Sequence, residues 1–316
     1  MADTIEAFRA AILAVLGYAP DAIVPGRFHR FGTSDRRSDS AGWCKLFDDL
    51  RGGVFGCYRQ GISEAWSAQD RRTIPVADRI ALAAQVMAAT RHREKVQREL
   101  WAGNAQRNAR LWSECRMLKP GDAVTLYLQR RGLGGVWPLP PLLRLHRALP
   151  YWNADNKLVG TYPAMLAPLT TPEGKLVALH RTYLCADGRK ADVPTVKKLT
   201  CAAGPLAGAC IALHKPARGV VGIAEGIETA LAGWFVSGLP TVASYSASIL
   251  ASWRWPAGVQ RLVIFADHDK AGREAADKLR ARALAARLRC EVLTPTEPGT
   301  DWADVWANGG TKEVAA

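Results

Sequence analysis

Two apolar runs near the C-terminus of this chain end in carboxylates, and that pattern restricts its fold more than any other. Val220-Val221-Gly222-Ile223-Ala224 reads as a buried strand closed by Glu225, and Gly226 leads into a helical stretch from Ile227 to Phe235. Val242 to Tyr245 reads as a second short strand. Leu262 to Ala266 reads as a third, ends in Asp267-His268-Asp269, and is followed by a helix from about Ala271 to Leu288. Strands alternating with helices predict an α/β domain with a mainly parallel sheet, in which the active crevice lies at the carboxyl ends of the strands. Glu225 and the Asp267/Asp269 pair are therefore placed to converge.

Three carboxylates at two strand ends suit a magnesium centre. Mg²⁺ takes octahedral oxygen ligands, keeps several waters, and uses one or two carboxylates plus substrate phosphates. Two such ions activate an attacking hydroxyl and stabilise a leaving oxygen in phosphoryl transfer. On an irregular loop beyond a strand, both carboxylates of Asp-x-Asp can point into one crevice, and Gly272 lets the backbone turn tightly into the next helix. Asp is also a good N-cap. A cap accounts for one aspartate, not for two together with a glutamate at a neighbouring strand end.

Ala224-Glu225-Gly226-Ile227-Glu228-Thr229-Ala230-Leu231 followed by Phe265-Ala266-Asp267-His268-Asp269-Lys270-Ala271-Gly272 resembles the Toprim domain, with its strand-end glutamate and Asp-x-Asp-x-x-Gly motif. The resemblance covers residues 216–316. It implies that Glu225, Asp267 and Asp269 are the catalytic, metal-binding residues for Mg²⁺ or Mn²⁺. Pro298-Gly299-Thr300-Asp301-Trp302-Ala303-Asp304 looks like the later acidic element of such domains, so Asp301 and Asp304 are candidate supplementary ligands; a capped C-terminal helix starting near Asp301 is an equal reading. Glu228 is either a first-turn helix carboxylate or a residue that orients a ligand.

The segment before it narrows the family. Tyr162 to Thr170 and Gly174 to Tyr183 read as strand, turn and strand around Pro172-Glu173-Gly174. This unit is similar to the one preceding Toprim in bacterial and phage primases, and Lys197-Lys198-Leu199 resembles the basic segment after it. The whole layout looks like the primases encoded by phages, plasmids and integrated elements. The resemblance implies a DNA primase that builds short RNA primers from ribonucleoside triphosphates on a single-stranded DNA template. Arg130, Arg131, Arg181, Lys190, Lys197 and Lys198 are the candidate contacts to template or nucleotide phosphates, with Arg181 and Lys198 foremost. Two other readings stay open: a Toprim nuclease or topoisomerase-like enzyme, and a non-catalytic nucleic-acid-binding accessory protein of replication.

Charge agrees with a polyanionic partner. The net charge is +13, and residues 1–215 hold 31 Lys and Arg against 18 Asp and Glu, whereas 216–316 hold 11 of each. The expected organisation is α+β overall. A small aromatic and basic β-containing module occupies 1–74, a helical region broken near Gly103-Asn104 occupies 75–135, a basic subdomain occupies 136–215, and the Toprim domain occupies 216–316. Prolines between 138 and 150 mark a loop. The seven cysteines include no Cys-x-x-Cys, and His29, Cys44 and Cys57 fall one short of a four-ligand site, so zinc is not expected. No apolar run is long enough to span a bilayer and no signal peptide opens the chain, which predicts a cytoplasmic protein without a membrane partner. No Gly-x-x-x-x-Gly-Lys-Ser/Thr occurs, so no helicase motor lies within these residues, and a separate replicative helicase is a candidate partner.

Overall fold

In the computed structural model, which describes residues 2–34, 39–58, 60–69, 74–134 and 138–309, the aromatic and glycine-rich stretch after the first helix forms a four-stranded antiparallel meander. Helix α1 (Ala2–Leu16) precedes strands β1 (His29–Phe31), β2 (Gly42–Leu46), β3 (Gly52–Cys57) and β4 (Ile62–Ser67). Phe8, Ile12 and Leu16, spaced four apart on α1, pack on Cys44, Leu46, Phe55 and Cys57 of the sheet. The other sheet face buries Trp43, Phe47 and Val54 against Leu82 and Val86 of helix α2 (Val76–Ser113). Both faces of β3 are thus covered, which is why all six of its residues are buried. These elements belong to one compact unit, residues 1–99, and the chain from 100 onward forms a second.

Helix α2 runs unbroken through Gly103-Asn104, where the sequence suggests an interruption. Asn104 and Asn108, four residues apart on one face, donate their side-chain amides to the carbonyls of Ala202 (2.6 Å) and Cys201 (3.1 Å). These tertiary hydrogen bonds outweigh the low helix propensity of Gly and Asn.

The second unit opens with strand β5 (Arg116–Met117) and helix α3 (Ala123–Arg130), followed by β6 (Arg144–Trp152), β7 (Leu158–Thr170), β8 (Leu176–Tyr183) and β9 (Lys197–Leu199). They make an antiparallel sheet in the order β5-β6-β7-β8-β9. Strand β6 occupies residues that the prolines suggested were loop. Beyond Leu145 its outer edge has no β5 partner, so Pro150 withholds no ladder hydrogen bond there.

The C-terminal part is β10 (Val220–Ala224), α4 (Ile227–Ser237), β11 (Thr241–Ala243), α5 (Ala247–Ser252), β12 (Arg261–Phe265), α6 (Lys270–Ala285), β13 (Arg289–Leu293) and α7 (Trp302–Ala307). Its four strands are all parallel, in the order β11-β10-β12-β13. The central β10 is apolar throughout and β12 is apolar after Arg261, as expected for strands covered on both faces by helices. Gly238 ends α4 at φ +66°, and its amide donates to the Trp234 carbonyl (2.8 Å). A main-chain pair between Ile211 and Ala243 (2.7 and 3.0 Å) ties the antiparallel part to the edge of the parallel sheet, and one apolar core runs beneath both. The chain is therefore α+β, with its α/β part at the C-terminal end.

Candidate active site

The parallel sheet fixes where chemistry can occur. β10 leads through α4 to β11 on one side, whereas β12 leads through α6 to β13 on the other, so the outgoing loops of β10 and β12 diverge and leave a crevice between adjacent strand ends. Ala224 pairs with Phe265, which puts Glu225 level with Ala266 and one step from Asp267. Glu225, Asp267 and Asp301 line one pocket. The same pocket is also lined by Lys190 and Lys197 from the antiparallel part, by Arg131 from the end of α3, and by Tyr127, His180 and Tyr245. Residues 100–215, which supply those cations, hold 16 Lys and Arg against six Asp and Glu.

The acidic wall is under electrostatic tension. Burial, then the nearby Glu225, Asp301 and Asp269, push the Asp267 carboxyl from its ordinary 3.8 up to about 7. Burial and then Asp269 raise Glu225 as well, with Lys197 opposing. Asp267 Oδ1 is sealed from solvent without a hydrogen-bond partner among the described residues. Two raised carboxyls and an unpartnered oxygen fit a divalent cation, which would relieve both. Among the described residues, no three His, Cys, Asp or Glu groups close into a ready-made cage. An incomplete protein ligand set is what Mg²⁺ uses when waters and phosphates finish its shell.

Asp269 caps α6: its Oδ1 accepts from Gly272 N (2.7 Å). A Cβ on Gly272 would lie 2.7 Å from the Asp267 carbonyl oxygen, so only glycine allows the helix to start this close to the strand end. Asp301 and Asp304 form a capping box at α7, and Arg131 pairs with both carboxylates (3.8 and 3.3 Å). Asp301 also lines the pocket, while Asp304 does not.

Glu228 is buried in the first turn of α4 and sits in a tight network. Tyr127 donates to its Oε1 (2.5 Å) and Lys197 Nζ to its Oε2 (2.8 Å). Burial alone would raise this carboxyl, but the Lys197 ammonium and the two hydrogen bonds hold it down at about 2. The same burial and the Glu228 charge push the Tyr127 phenol well above its usual value. Glu228 thus fixes Lys197 at the pocket wall.

The basic residues divide by strand parity. His180 and Lys197 face the pocket, whereas Arg181 and Lys198, paired in register on β8 and β9, do not line it. Arg181 donates to the Leu199 carbonyl (2.5 Å) and the Tyr183 hydroxyl (3.3 Å); Lys198 donates to the Trp152 carbonyl (2.7 Å) and lies over the Tyr151 ring. The two residues ranked first from sequence therefore do not face the carboxylates, because a one-residue step along a strand reverses the side chain. Arg130 points elsewhere too, onto Asp187. Tyr127, His180 and Tyr245 were missed. Strand alternation from Arg181 could have flagged His180, but no local pattern marks Tyr127 or Tyr245. Tyr245 holds φ +83°, a strained value for an aromatic residue, while its amide donates to the Glu225 carbonyl (2.7 Å).

Residues 220–312 match the Toprim domain model, and residues 102–213 match a domain of unknown function (DUF7146). No curated protein matches the sequence. Among solved structures, the chain is similar to the Escherichia coli primase catalytic core, with 14% identity, 60% of this chain and 70% of that chain covered, and a TM-score of 0.40. It is similar to the primase fragment of the bacteriophage T7 primase-helicase protein at 14% identity, 89% and 95% coverage and a TM-score of 0.35. A DNA primase domain from Pseudomonas aeruginosa matches at 18% identity and a TM-score of 0.34; that match covers 56% of this chain and 57% of the domain.

Proposed function

We propose that this chain, whose residues 220–312 are a Toprim domain, is a DNA primase that joins ribonucleotides on a single-stranded DNA template in the cytoplasm. One observation carries the reading: a single pocket sets carboxylates from two parallel strand ends against three cations from the preceding sheet and helix. Phosphoryl transfer relies mainly on positioning and electrostatic stabilisation, and a triphosphate needs both an acidic metal site and cations for its oxygens.

Glu225, Asp267 and Asp269 would hold Mg²⁺ or Mn²⁺, with Asp301 and Asp304 as supplementary ligands, and the ion would supply positive charge beside the transferring phosphoryl group. Lys197, oriented by Glu228, and Lys190 and Arg131 bind nucleotide phosphates. Arg130, Arg181 and Lys198 contribute to holding the template backbone away from the carboxylates. The labour divides along the segments 1–74, 75–135, 136–215 and 216–316, the last pair forming the reaction centre. No helix of the described residues is long and apolar enough to cross a membrane. A replicative helicase would join as a separate chain.

The test is incubation with single-stranded DNA, labelled ribonucleotides and Mg²⁺ or Mn²⁺, with both products and template followed. Labelled oligomers on intact template support the primase. Degraded template without labelled product replaces it with a Toprim nuclease, and binding without either product supports a non-catalytic accessory protein.

A further inference from the structure

Several polar side chains in the pocket are neither acidic nor cationic, His180 among them. His180 lies in the middle of β8, 3% exposed, and lines the pocket beside Lys197 and Glu225. Its Nδ1 is buried without a hydrogen-bond partner among the described residues. Leaving a buried ring nitrogen unsatisfied costs free energy, so a histidine kept in this position needs a partner that the protein alone does not provide.

The surroundings limit what that partner is. Burial holds the imidazole uncharged, down to about 4; Glu228 opposes this, and Lys197 and Arg181 reinforce it. A neutral ring competes poorly for phosphate where Lys190, Lys197 and Arg131 line the same pocket. The carboxylates of this pocket suit a hard cation that takes oxygen ligands, so a neutral imidazole is not the donor such an ion selects. A neutral imidazole offers one N–H donor and one bare acceptor, and a hydroxyl complements either tautomer because it both donates and accepts. On a nucleotide whose phosphates engage the cations, the hydroxyls are those of the sugar.

The ring is also held in place. Tyr245 meets it edge-on, 5.4 Å between centroids, and the strained Tyr245 backbone is tied by its amide to the Glu225 carbonyl. The position of His180 is therefore linked to the strand end that carries a metal-site carboxylate.

We infer that His180 hydrogen-bonds a sugar hydroxyl of the nucleotide held in this pocket and makes the site selective for that hydroxyl. This rests on the nucleotide-binding reading above and adds the part of the nucleotide that is read. The 2′ and 3′ hydroxyls share the chemistry, and the analogues below separate them.

The experiment measures affinities of the full-length protein for ATP, 2′-deoxy-ATP and 3′-deoxy-ATP by titration calorimetry with Ca²⁺, without template. Wild-type protein is expected to bind ATP about tenfold more tightly than the analogue lacking the hydroxyl that His180 takes. In His180→Leu that ratio should fall to about one, through loss of ATP affinity alone, and His180→Gln should restore part of it. The Gln variant keeps a polar group in the buried position, so its ratio stays informative if the Leu variant unfolds. Equal wild-type binding of all three nucleotides, or a ratio unchanged in both variants, overturns the inference. Discrimination that His180 controls in a protein that makes no primer keeps this inference and refutes the polymerase reading. Primer synthesis with a His180-independent ratio does the reverse, and a protein that binds no nucleotide refutes both.

Discussion

Replacing Asp267 with asparagine should stabilise the metal-free protein above neutral pH. The carboxyl's ordinary value is 3.8 and its value in the fold is about 7, so folding takes up a proton between these limits. Stability from this group is complete below about pH 4 and is lost as pH rises toward 7, where the carboxylate ionises beside Glu225, Asp301 and Asp269. The difference between those two values corresponds to about 4 kcal/mol. Water still reaches this half-buried site and roughly halves that, to about 2 kcal/mol. For a unit of this size the change corresponds to roughly 4–8 °C in Tm. Thermal unfolding in EDTA at pH 5 and pH 8 reads it directly: the wild type should lose more stability than Asp267→Asn between the two, and Mg²⁺ at pH 8 should recover the difference only in the wild type. Parallel pH profiles for the two proteins, or an asparagine variant less stable than wild type at pH 8 without metal, would refute the electrostatic account of the pocket.

Removing the Glu228 side chain in Glu228→Ala leaves Lys197 and Tyr127 without their shared partner and should cost about 3 kcal/mol in urea unfolding; Tyr127→Phe removes one hydrogen bond and should cost about 1 kcal/mol. Primer synthesis should fall at least tenfold in Lys197→Ala and less than threefold in Lys198→Ala, since only the first lines the pocket; equal losses would contradict the strand parity. Asn104→Ala and Asn108→Ala should each lower stability by about 1–2 kcal/mol by leaving the carbonyls of Ala202 and Cys201 without their donors, measured by Tm.

Much of the C-terminal part was legible because its signals are local. Glu225 and Asp267 follow continuous apolar strands, and the strand-helix alternation forces those strands into one parallel sheet whose ends meet. The remaining features depend on contacts distant in sequence. Tyr127 and Glu228 are 101 residues apart, and neither neighbourhood signals the other. The face chosen by β9 depends on which side of the sheet the core covers, so neighbouring cations such as Lys197 and Lys198 look alike in sequence and differ completely in the fold. Asn104 and Asn108 read as helix breakers until the carbonyls they serve are in view. Strand β6 was hidden by Pro150, which is tolerated only because β5 stops at Met117.

Template-directed dinucleotide formation by Glu225→Gln, Asp267→Asn and Asp269→Asn, beside the wild type and with folding verified by far-UV circular dichroism, tests the central claim most directly. If the pocket is the reaction centre, each folded variant should lose at least a hundredfold in rate while the wild type extends labelled ribonucleotides on single-stranded DNA. Folded variants that all synthesise at near wild-type rates would contradict it.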